Sequence, residues 1–342
     1  MSNSKPRLAE YVWVDGVTPS PSVRSKIKVL SKEVRPRVRD LPDWGADGSS
    51  TNQAEGDSSD IIISPVRVVR HPFLSENDLL VMCDVWNPDG TAHSTNTRHA
   101  LSEILSKGGN ELRSLFGFEQ EYTFLRTDGT PYGFPENGFP APQGQYYCAV
   151  GAGNIFGREV YEEFMQHCLT AGLEVSGFNW EVMPGQAEVQ VGAADPLKAS
   201  DHLWLARWIL QRTAEKHNIV VSFEPKPARG DWNGAGMHTN FSTQNMRNFE
   251  GISHIENFCD KLGERVRQHL EAYGDDYESR LTGAHETCSY RDFKWGVADR
   301  TASIRIPQSV ALEGKGYLED RRPNANADPY RVCYEMIKTA LL

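Results

Sequence analysis

The sequence predicts an α+β protein of two domains, the larger of which carries a mostly antiparallel sheet. Short segments rich in β-branched and aromatic residues dominate the N-terminal part of the chain, with polar turns between them. Farther along, strand-like and helix-like patterns alternate without a strict βαβ period. A chain of 342 residues, 39% hydrophobic and 24% charged, can bury one large core or two modest ones.

The N-terminal part is predicted to form a small sheet that ends at a domain boundary. Strands are predicted over residues 11–16, 25–30, 61–63 and 79–85. A polar loop rich in glycine, serine, aspartate and asparagine is predicted over residues 43–60. Because a helix is predicted to begin near Thr97, we place the domains at residues 1–96 and 97–342.

Three helices are predicted in the larger domain from apolar stripes of helical period. The first covers residues 159–171, with Val160, Phe164 and Cys168 on one face and Gly172 as its C-terminal stop. The second covers residues 201–217. The third is one continuous helix whose stripe consists of Ile255, Phe258, Leu262, Val266 and Leu270.

Composition and charge exclude several classes of function. A net charge of −10 without a lysine- or arginine-rich stripe argues against nucleic acid as the main partner. No apolar run reaches membrane-spanning length, and the N-terminus lacks the apolar core of a secretory signal. Six cysteines without a CxxC pair indicate reduced thiols. We therefore expect a cytoplasmic protein that acts on small molecules.

The chain has no common glycine-rich phosphate loop. The pattern GxxxxGK[ST] does not occur, and residues 151–157 have one residue too many for a dinucleotide-binding fingerprint. A turn leading into the helix at residues 159–171 is the simpler interpretation of those glycines. Any nucleotide must therefore be held by metal ions and arginines.

Acidic residues on predicted strands are the most informative feature of the larger domain. Alternation places Glu119 and Glu121 on one face of a strand, and Glu188 on the polar face of another. Two carboxylates on one strand face repel each other unless they share a cation. Carboxylates with an imidazole such as that of His238 suit hard divalent ions such as Mg²⁺ or Mn²⁺. A solvated sheet face is the alternative, but recurrence in four segments with neighbouring glycines and arginines favours a cation-filled cleft.

Several motifs resemble those of the glutamine synthetase family, in the shorter type II form of eukaryotes and some bacteria. They run in order along nearly the whole chain: EGDSSD, GFEQEYTF, EVMPGQAEVQVG, DHLWLARWIL, GDWNGAGMHTNFST, RLTGAHET, DRTASIRIP and GYLEDRRPNANADPY. The resemblance implies a small N-terminal β-grasp domain and a catalytic domain whose curved antiparallel sheet forms a funnel. It also implies ATP-dependent ligation of ammonia to the γ-carboxylate of glutamate through γ-glutamyl phosphate.

The resemblance assigns site residues by position. It implies two metal sites for Mg²⁺ or Mn²⁺, one formed by Glu121, Glu181 and Glu188 and the other by Glu119, His238 and Glu319. It implies that the catalytic residues are Asp60, Glu286, Arg300 and Arg321, and that the substrate contacts are Tyr147, Asn233, Gly234 and Arg280. It implies ATP contacts at Ser242, Arg305 and Leu115. A surface ion pair is the alternative for any of these arginines, and it is expected more of Arg322 than of the others.

The resemblance further implies a ring homo-oligomer, commonly of two stacked pentamers, in which Asp60 reaches the neighbouring subunit's site. This chain departs from the family's usual residues at Leu115, Trp180, Ala187 and Ala284. Trp180 and Ala187 are expected to be one size exchange across a shared pocket. Three functions stay open: glutamine synthetase, a related ligase that uses another amine or acid, and a non-catalytic structural ring. The cluster of mutually repelling carboxylates argues against the structural ring, because a protein without catalytic function gains nothing from it.

Overall fold

The computed structural model describes residues 6–342, which contain two β-sheets and flanking helices. The five strands of the smaller sheet are β1 (Arg7–Val14), β2 (Val23–Leu30), β3 (Trp44–Asp47), β4 (Asp60–Arg70) and β5 (Leu79–Trp86). Their order is β2-β1-β5-β4-β3, and β1 and β5 are parallel while the other neighbours are antiparallel. The predicted α+β class with a small N-terminal sheet is confirmed.

The larger sheet has eight strands and carries the acidic residues. They are β6 (Leu115–Leu125), β7 (Val175–Trp180), β8 (Gln186–Ala194), β9 (Val220–Ser222), β10 (Met237–Ser242), β11 (Trp295–Val297), β12 (Ile304–Ile306) and β13 (Leu318–Asp320). The order is β11-β12-β13-β10-β6-β8-β7, with β9 paired to one end of β6. Within this sheet, over the residues that the structure describes, only the β11–β12 pair is parallel, so the sheet is mostly antiparallel as predicted.

The helices pack behind and around this sheet. They are α1 (Thr97–Ser106), α2 (Arg158–Ala171), α3 (Pro196–Glu215), α4 (Gln244–Arg247), α5 (Ile252–Glu264), α6 (Val266–Ala272), α7 (Tyr277–Arg280), α8 (Gln308–Glu313) and α9 (Pro329–Ala340). The central helix is α3, which packs against β6, β8, α2 and α9 and is buried on most of its surface. Across residues 6–342, no helix has both the length and the apolar character needed to cross a bilayer.

Several predicted elements differ from the observed ones. The strand predicted over 61–63 is the longer β4 (Asp60–Arg70), and the strand predicted over 11–16 lies earlier, as β1 (Arg7–Val14). The helix predicted over 255–270 is two helices, α5 and α6, because the backbone leaves the helical region at Arg265, where φ is −126°. The helix predicted from Asp201 begins earlier, since the Asp195 carboxylate accepts a hydrogen bond from the Lys198 amide and Pro196 occupies the first turn. The predicted loop 43–60 contains β3, because Trp44 packs edge-on against Tyr11.

The glycines of residues 151–157 form the predicted turn into α2. Gly157 has φ of 89° at the start of the helix, and a side chain there would lie 2.8 Å from the Phe124 ring. Glycine is thus required at position 157 by its positive φ and its close approach to β6.

The two sheets share one junction of buried charge. Asp201 of α3 is fully buried and accepts hydrogen bonds from Arg67 of β4 at 2.7 Å and from Arg98 of α1 at 2.8 Å. The Tyr330 hydroxyl of α9 donates to the same carboxylate at 2.7 Å. Val12, from β1, belongs to the hydrophobic core of the larger sheet, so apolar packing joins the two parts as well. The boundary between residues 96 and 97 stays a prediction.

Candidate active site

One face of the larger sheet collects acidic side chains from neighbouring strands. In β6, alternation places Glu119 and Glu121 on the same face, as predicted. Register places Glu119 opposite His238 of β10 and Glu121 opposite Glu188 of β8. Glu319 of β13 completes the row opposite Arg305 of β12. Like charges directly opposite each other destabilise a sheet, so the Glu121–Glu188 pair requires compensation.

This face forms the wall of a cavity of about 510 Å³. Most of the predicted site residues line it: Glu119, Glu121, Glu181, Glu188, His238, Tyr147, Asn233, Gly234, Arg280, Glu286, Arg300, Arg305 and Arg321. Glu319 lies just behind this wall, 1% exposed. The fold therefore brings together residues that lie up to about 200 positions apart in the chain, from Glu119 to Arg321.

The ligand atoms of two residue groups lie within 4.8 Å of one another, close enough to hold a metal ion. One group is Glu119, His238 and Glu319, the same set that the family resemblance implied. The other is Glu121, Glu188 and His238, whereas the resemblance implied Glu181 as the third member. Glu181 lines the same cavity, where its carboxylate accepts a hydrogen bond from Asn179 at 2.9 Å.

Burial and mutual repulsion raise the pKa of the central carboxyl groups. Burial raises the pKa of Glu121 to about 7, despite Arg280 nearby, and burial with the Glu121 charge raises that of Glu181 to about 8. Burial together with Glu119, Glu121 and Glu181 raises the pKa of Glu188 to about 9. These groups must share protons or cations at neutral pH. Hard oxygen donors with one neutral imidazole fit Mg²⁺ or Mn²⁺, and burial lowers the pKa of His238 well below its usual range.

The cavity has arginines at different depths, two of which are bound to Glu319. Its carboxylate accepts hydrogen bonds from Arg321 and Arg305, each at 2.6 Å, so both guanidinium groups are held at the cavity wall. Arg300 is exposed at the rim. Arg280 lies beneath, and its Nη atoms donate to the carbonyl oxygens of residues 321–323.

Arg322 lies away from the cavity in a buried ion pair. Its Nη2 atom is 2.6 Å from a carboxylate oxygen of Asp320, and both side chains are almost fully buried. Arg322 therefore forms an ion pair, but the expected surface location is wrong, because Asp320 and Arg322 are both enclosed by the core.

A second cavity of about 550 Å³ adjoins the first and contains two of the predicted ATP contacts, Leu115 and Ser242. Glu119 and Gln190 line both cavities, so the two spaces meet at the acidic face. Sequence reasoning missed Arg247, whose Nη1 atom donates to the Ser242 hydroxyl at 2.8 Å. Its position in a short helix, α4, carries no spacing signal that would have identified it.

The remaining predicted site residues lie at the rim of the first cavity or outside it. Tyr147 is 51% exposed, and the Glu286 side chain is 56% exposed at the mouth of the cavity. Asp60 is exposed at the start of β4 and does not line the cavity of its own chain. Gln143 and His285 beside the mouth were missed, because single glutamine and histidine residues in loops give no pattern.

Two of the residues that depart from the family's usual ones, Trp180 and Ala187, line neither of the two cavities. Trp180 and Ala187 are direct partners in the β7–β8 ladder, which confirms that they share one location. Both are buried on the core side, where Trp180 stacks on Tyr161 with ring centroids 4.5 Å apart. They form part of the hydrophobic core and do not contact the acidic face.

Comparison with known proteins identifies what the chain resembles. Residues 5–88 match the family described as glutamine synthetase, beta-Grasp domain, and residues 94–257 match glutamine synthetase, catalytic domain. The glutamine synthetase of Streptomyces viridochromogenes is 52% identical over 334 residues, covering 97% of this chain and 96% of that protein. The Xenopus laevis glutamine synthetase is 48% identical over 336 residues, covering 97% of this chain and 85% of that protein.

A solved structure has the same fold. The cryo-EM structure of Plasmodium falciparum glutamine synthetase superposes with a TM-score of 0.78 at 18% identity, covering 98% of this chain and 71% of that one. At that identity the likeness supports the architecture of the two sheets.

Proposed function

This chain belongs to the glutamine synthetase family, and from that premise we propose how its residues carry out the reaction. It is a ligase that joins ammonia to the γ-carboxylate of L-glutamate through γ-glutamyl phosphate, with ATP converted to ADP and phosphate. The observation that supports the residue roles best is the meeting of two cavities at Glu119 and Gln190. One cavity is partly apolar and suits a nucleotide, and the other is acidic and suits an ammonium ion.

ATP lies in the second cavity, with its base near Leu115 and Ser242 and its phosphates directed toward Glu119. Leu115 and Ser242 are cross-strand partners at the ends of β6 and β10, so they form one wall. The γ-phosphate then reaches the junction, where Arg305 and Arg321 are already oriented by Glu319. Fixed guanidinium forks suit the charge that spreads over the phosphoryl oxygens during transfer.

Divalent metal ions, Mg²⁺ or Mn²⁺, fit the two groups of ligand atoms within the acidic face. Glu119, His238 and Glu319 would hold one ion, and Glu121 and Glu188 with Glu181 would hold another. When bound, such ions neutralise phosphate charge and act as Lewis acids, so one anion can attack another. The raised pKa values of these carboxyl groups support this assignment, because bound cations would offset the burial and mutual repulsion that raise them.

Glutamate occupies the first cavity between Asn233, Gly234 and Arg280. Arg280 supplies buried positive charge, and Asn233 and Gly234 offer polar contacts for the amino group. Ammonium enters near Tyr147 and Glu286, whose carboxylate lies at the mouth and removes the proton that must leave before attack. The Glu286 carboxylate lies 4.0 Å from the Arg321 guanidinium at the mouth of the cavity.

The Glu286→Ala variant should separate the two half-reactions. It should still bind ATP and Mn²⁺ with unchanged affinity, because the ligands lie deeper, but amide formation should fall about a hundredfold or more. Calorimetric titration and a glutamine assay measure the two quantities. Unchanged glutamine synthesis would remove Glu286 from the mechanism.

A panel assay tests the function as a whole. Phosphate release and product formation should be measured with ATP and Mg²⁺ across several acids and amines, with glutamate and ammonium as the expected best pair. Faster turnover with a larger amine would indicate a related ligase. No turnover with any pair would indicate the structural ring.

We also propose a ring homo-oligomer of two stacked pentamers in the cytoplasm. Asp60 supports shared sites, because it is exposed, belongs to the smaller sheet and lies outside its own chain's cavity. The cysteines are all free of disulfides within residues 6–342, which supports a reducing compartment. The relatives include proteins named as chloroplastic and mitochondrial, so cell fractionation is the test of location.

A further inference from the structure

Two side-chain amides, those of Asn179 and Gln190, lie among the carboxylates of the acidic face. Register places Asn179 of β7 directly opposite Glu188 of β8, and Gly177 of β7 directly opposite Gln190. Because residues two apart on a strand share a face, all four positions belong to the acidic face and not to the core. Both amides line the first cavity.

Three hydrogen bonds join these amides to two of the carboxylates. The Nε2 atom of Gln190 donates to Oε1 of Glu188 at 2.8 Å and to Oδ1 of Asn179 at 3.3 Å. The Nδ2 atom of Asn179 then donates to Oε1 of Glu181 at 2.9 Å. One glutamine amide thus reaches Glu188 directly and Glu181 through Asn179, and we call this pair of amides the amide relay.

Only one orientation of the two amides satisfies this arrangement. A carboxylate that binds a metal ion is ionised, so it can only accept hydrogen bonds. The NH₂ groups of Gln190 and Asn179 must therefore face the two carboxylates, which leaves the Asn179 oxygen to accept from Gln190. With every donor assigned, each amide limits the rotation of one carboxylate.

The backbone of β7 provides the space that the Gln190 amide occupies. A Cβ atom at Gly177 would overlap Oε1 of Gln190 and would lie 3.0 Å from its Cδ. The β7–β8 register also shifts between Val175 and Gly177, an irregularity of the kind that redirects side chains. Glycine is needed at position 177 because the Gln190 amide packs directly on the strand.

We propose that Asn179 and Gln190 are positioning residues that hold Glu181 and Glu188 as one pair of metal ligands. This inference rests on the proposed function, in which these two carboxylates and Glu121 bind one of the two ions. Groups that orient metal ligands in advance raise the affinity for the ion. The relay is what connects Glu181 to Glu188, since Glu181 is outside the group of ligand atoms that lie within 4.8 Å of one another.

The other ion has a separate support. Glu119, one of its proposed ligands, accepts a hydrogen bond from Nδ2 of Asn240 at 2.8 Å. The three hydrogen bonds of the relay end on Glu181, Glu188 and Asn179 and include no ligand of that ion. Loss of the relay should therefore weaken one ion and leave the other unchanged.

Calorimetric titration of the metal-free protein with Mn²⁺ tests this expectation without any turnover. Asn179→Ala and Gln190→Ala should each weaken one of the two equivalents of Mn²⁺ about tenfold to a hundredfold, the range found for groups that orient metal ligands. The other equivalent should bind as in wild type. Gln268→Ala removes an exposed amide of α6 and should match wild type at both equivalents.

Gly177→Ala provides a second variant that keeps both amides. It should weaken the same equivalent of Mn²⁺, because the new methyl group displaces the end of the Gln190 side chain. Added to Gln190→Ala, it should cause no further loss, since the side chain that it displaces is already gone. Gly153→Ala is the control, because a Cβ atom there would meet no atom within 4 Å. Thermal unfolding in chelator checks that each variant is folded.

Unchanged or tighter binding of Mn²⁺ in Asn179→Ala and Gln190→Ala would overturn the relay. A further loss when Gly177→Ala is added to Gln190→Ala would overturn it as well, since the glycine would then act through the strand and not through the amide. Wild type that binds two Mn²⁺ ions but makes no glutamine would instead refute the proposed function, and the affinities would still decide the relay.

Discussion

At the scale of the residue, Leu115 is where nucleotide binding can be retuned. It is half-buried at the first position of β6, opposite Ser242, and lines the second cavity. A leucine offers a base an apolar surface but no aromatic ring to stack on. In the ATP site that we propose, the Leu115 side chain would therefore contact the base.

The Leu115→Trp variant should bind ATP about tenfold more tightly, because aromatic stacking on a base contributes about 1–3 kcal/mol. Titration calorimetry with a non-hydrolysable ATP analogue measures this change. Leu312→Trp serves as a control, since Leu312 is 80% exposed and does not line the cavity. Equal affinity of Leu115→Trp and wild type would place the base elsewhere.

The Trp180–Ala187 pair concerns stability and not specificity. Trp180→Ala should lower the free energy of unfolding by about 3–5 kcal/mol, because it leaves a large cavity beside Tyr161. Adding Ala187→Trp should recover part of that loss, since the two side chains fill one space across the ladder. Chemical denaturation measures both. Strictly additive losses in the double variant would show that the two positions pack independently.

At the scale of the element, the acidic face of β6 and β8 makes the stability of the metal-free protein depend on pH. The pKa of Glu188 is raised to about 9 and that of Glu121 to about 7, from an ordinary glutamate value of 4.5. The folded state then binds more protons than the unfolded state between about pH 5 and pH 9. The free energy of unfolding of the metal-free protein must therefore fall as pH rises through that window.

Thermal unfolding of the metal-free protein should show this fall, and saturating Mn²⁺ should reverse it, since the ions replace the protons. Glu188→Gln should flatten the profile by removing the carboxyl with the highest of these pKa values. Parallel profiles for Glu188→Gln and wild type from pH 5 to pH 9 would contradict the assignment. Differential scanning fluorimetry in chelator and in Mn²⁺ is sufficient for the comparison.

At the scale of the whole molecule, the position of Asp60 predicts that active sites are shared between subunits. Glu286 lines the cavity of its own chain, whereas Asp60 does not. Two inactive variants, Asp60→Ala and Glu286→Ala, should therefore complement each other when they are co-expressed in one ring. A site formed by wild-type Glu286 on one chain and wild-type Asp60 on its neighbour would be intact.

Co-expression of the two variants should restore about a quarter of wild-type activity, if subunits mix at random and one intact interface suffices. Gel filtration checks that the assemblies have the same size as wild type. Mixing the purified, separately assembled variants without exchange is the control and should restore none. Failure of complementation in mixed rings would show that Asp60 acts within its own chain or not at all.

Much of the site could be predicted because the alternation of residues along a strand shows which side chains share a face. Alternation alone placed Glu119 with Glu121, and it put Glu188 on the polar face. The break at Arg265 could not be predicted, because the helical spacing of apolar residues continues across it from Leu262 to Val266 and Leu270. Strand β3 could not be predicted either, because it lies in a polar segment and forms through the packing of Trp44 against Tyr11, which is distant in the sequence.

By itself, the sequence determined the class of the fold, the family and the types of ligand, since residue identity and strand period are local properties. Only the tertiary structure decided which of these side chains are neighbours. It placed His238 beside Glu119 and Glu188 beside Glu121. It also brought Arg305 and Arg321 into hydrogen bonds with Glu319. It also turned Trp180 into the core and brought His285, Asp231 and Gln143 into contact. Register and loop contacts depend on packing between segments distant in the chain, and no local pattern encodes that packing.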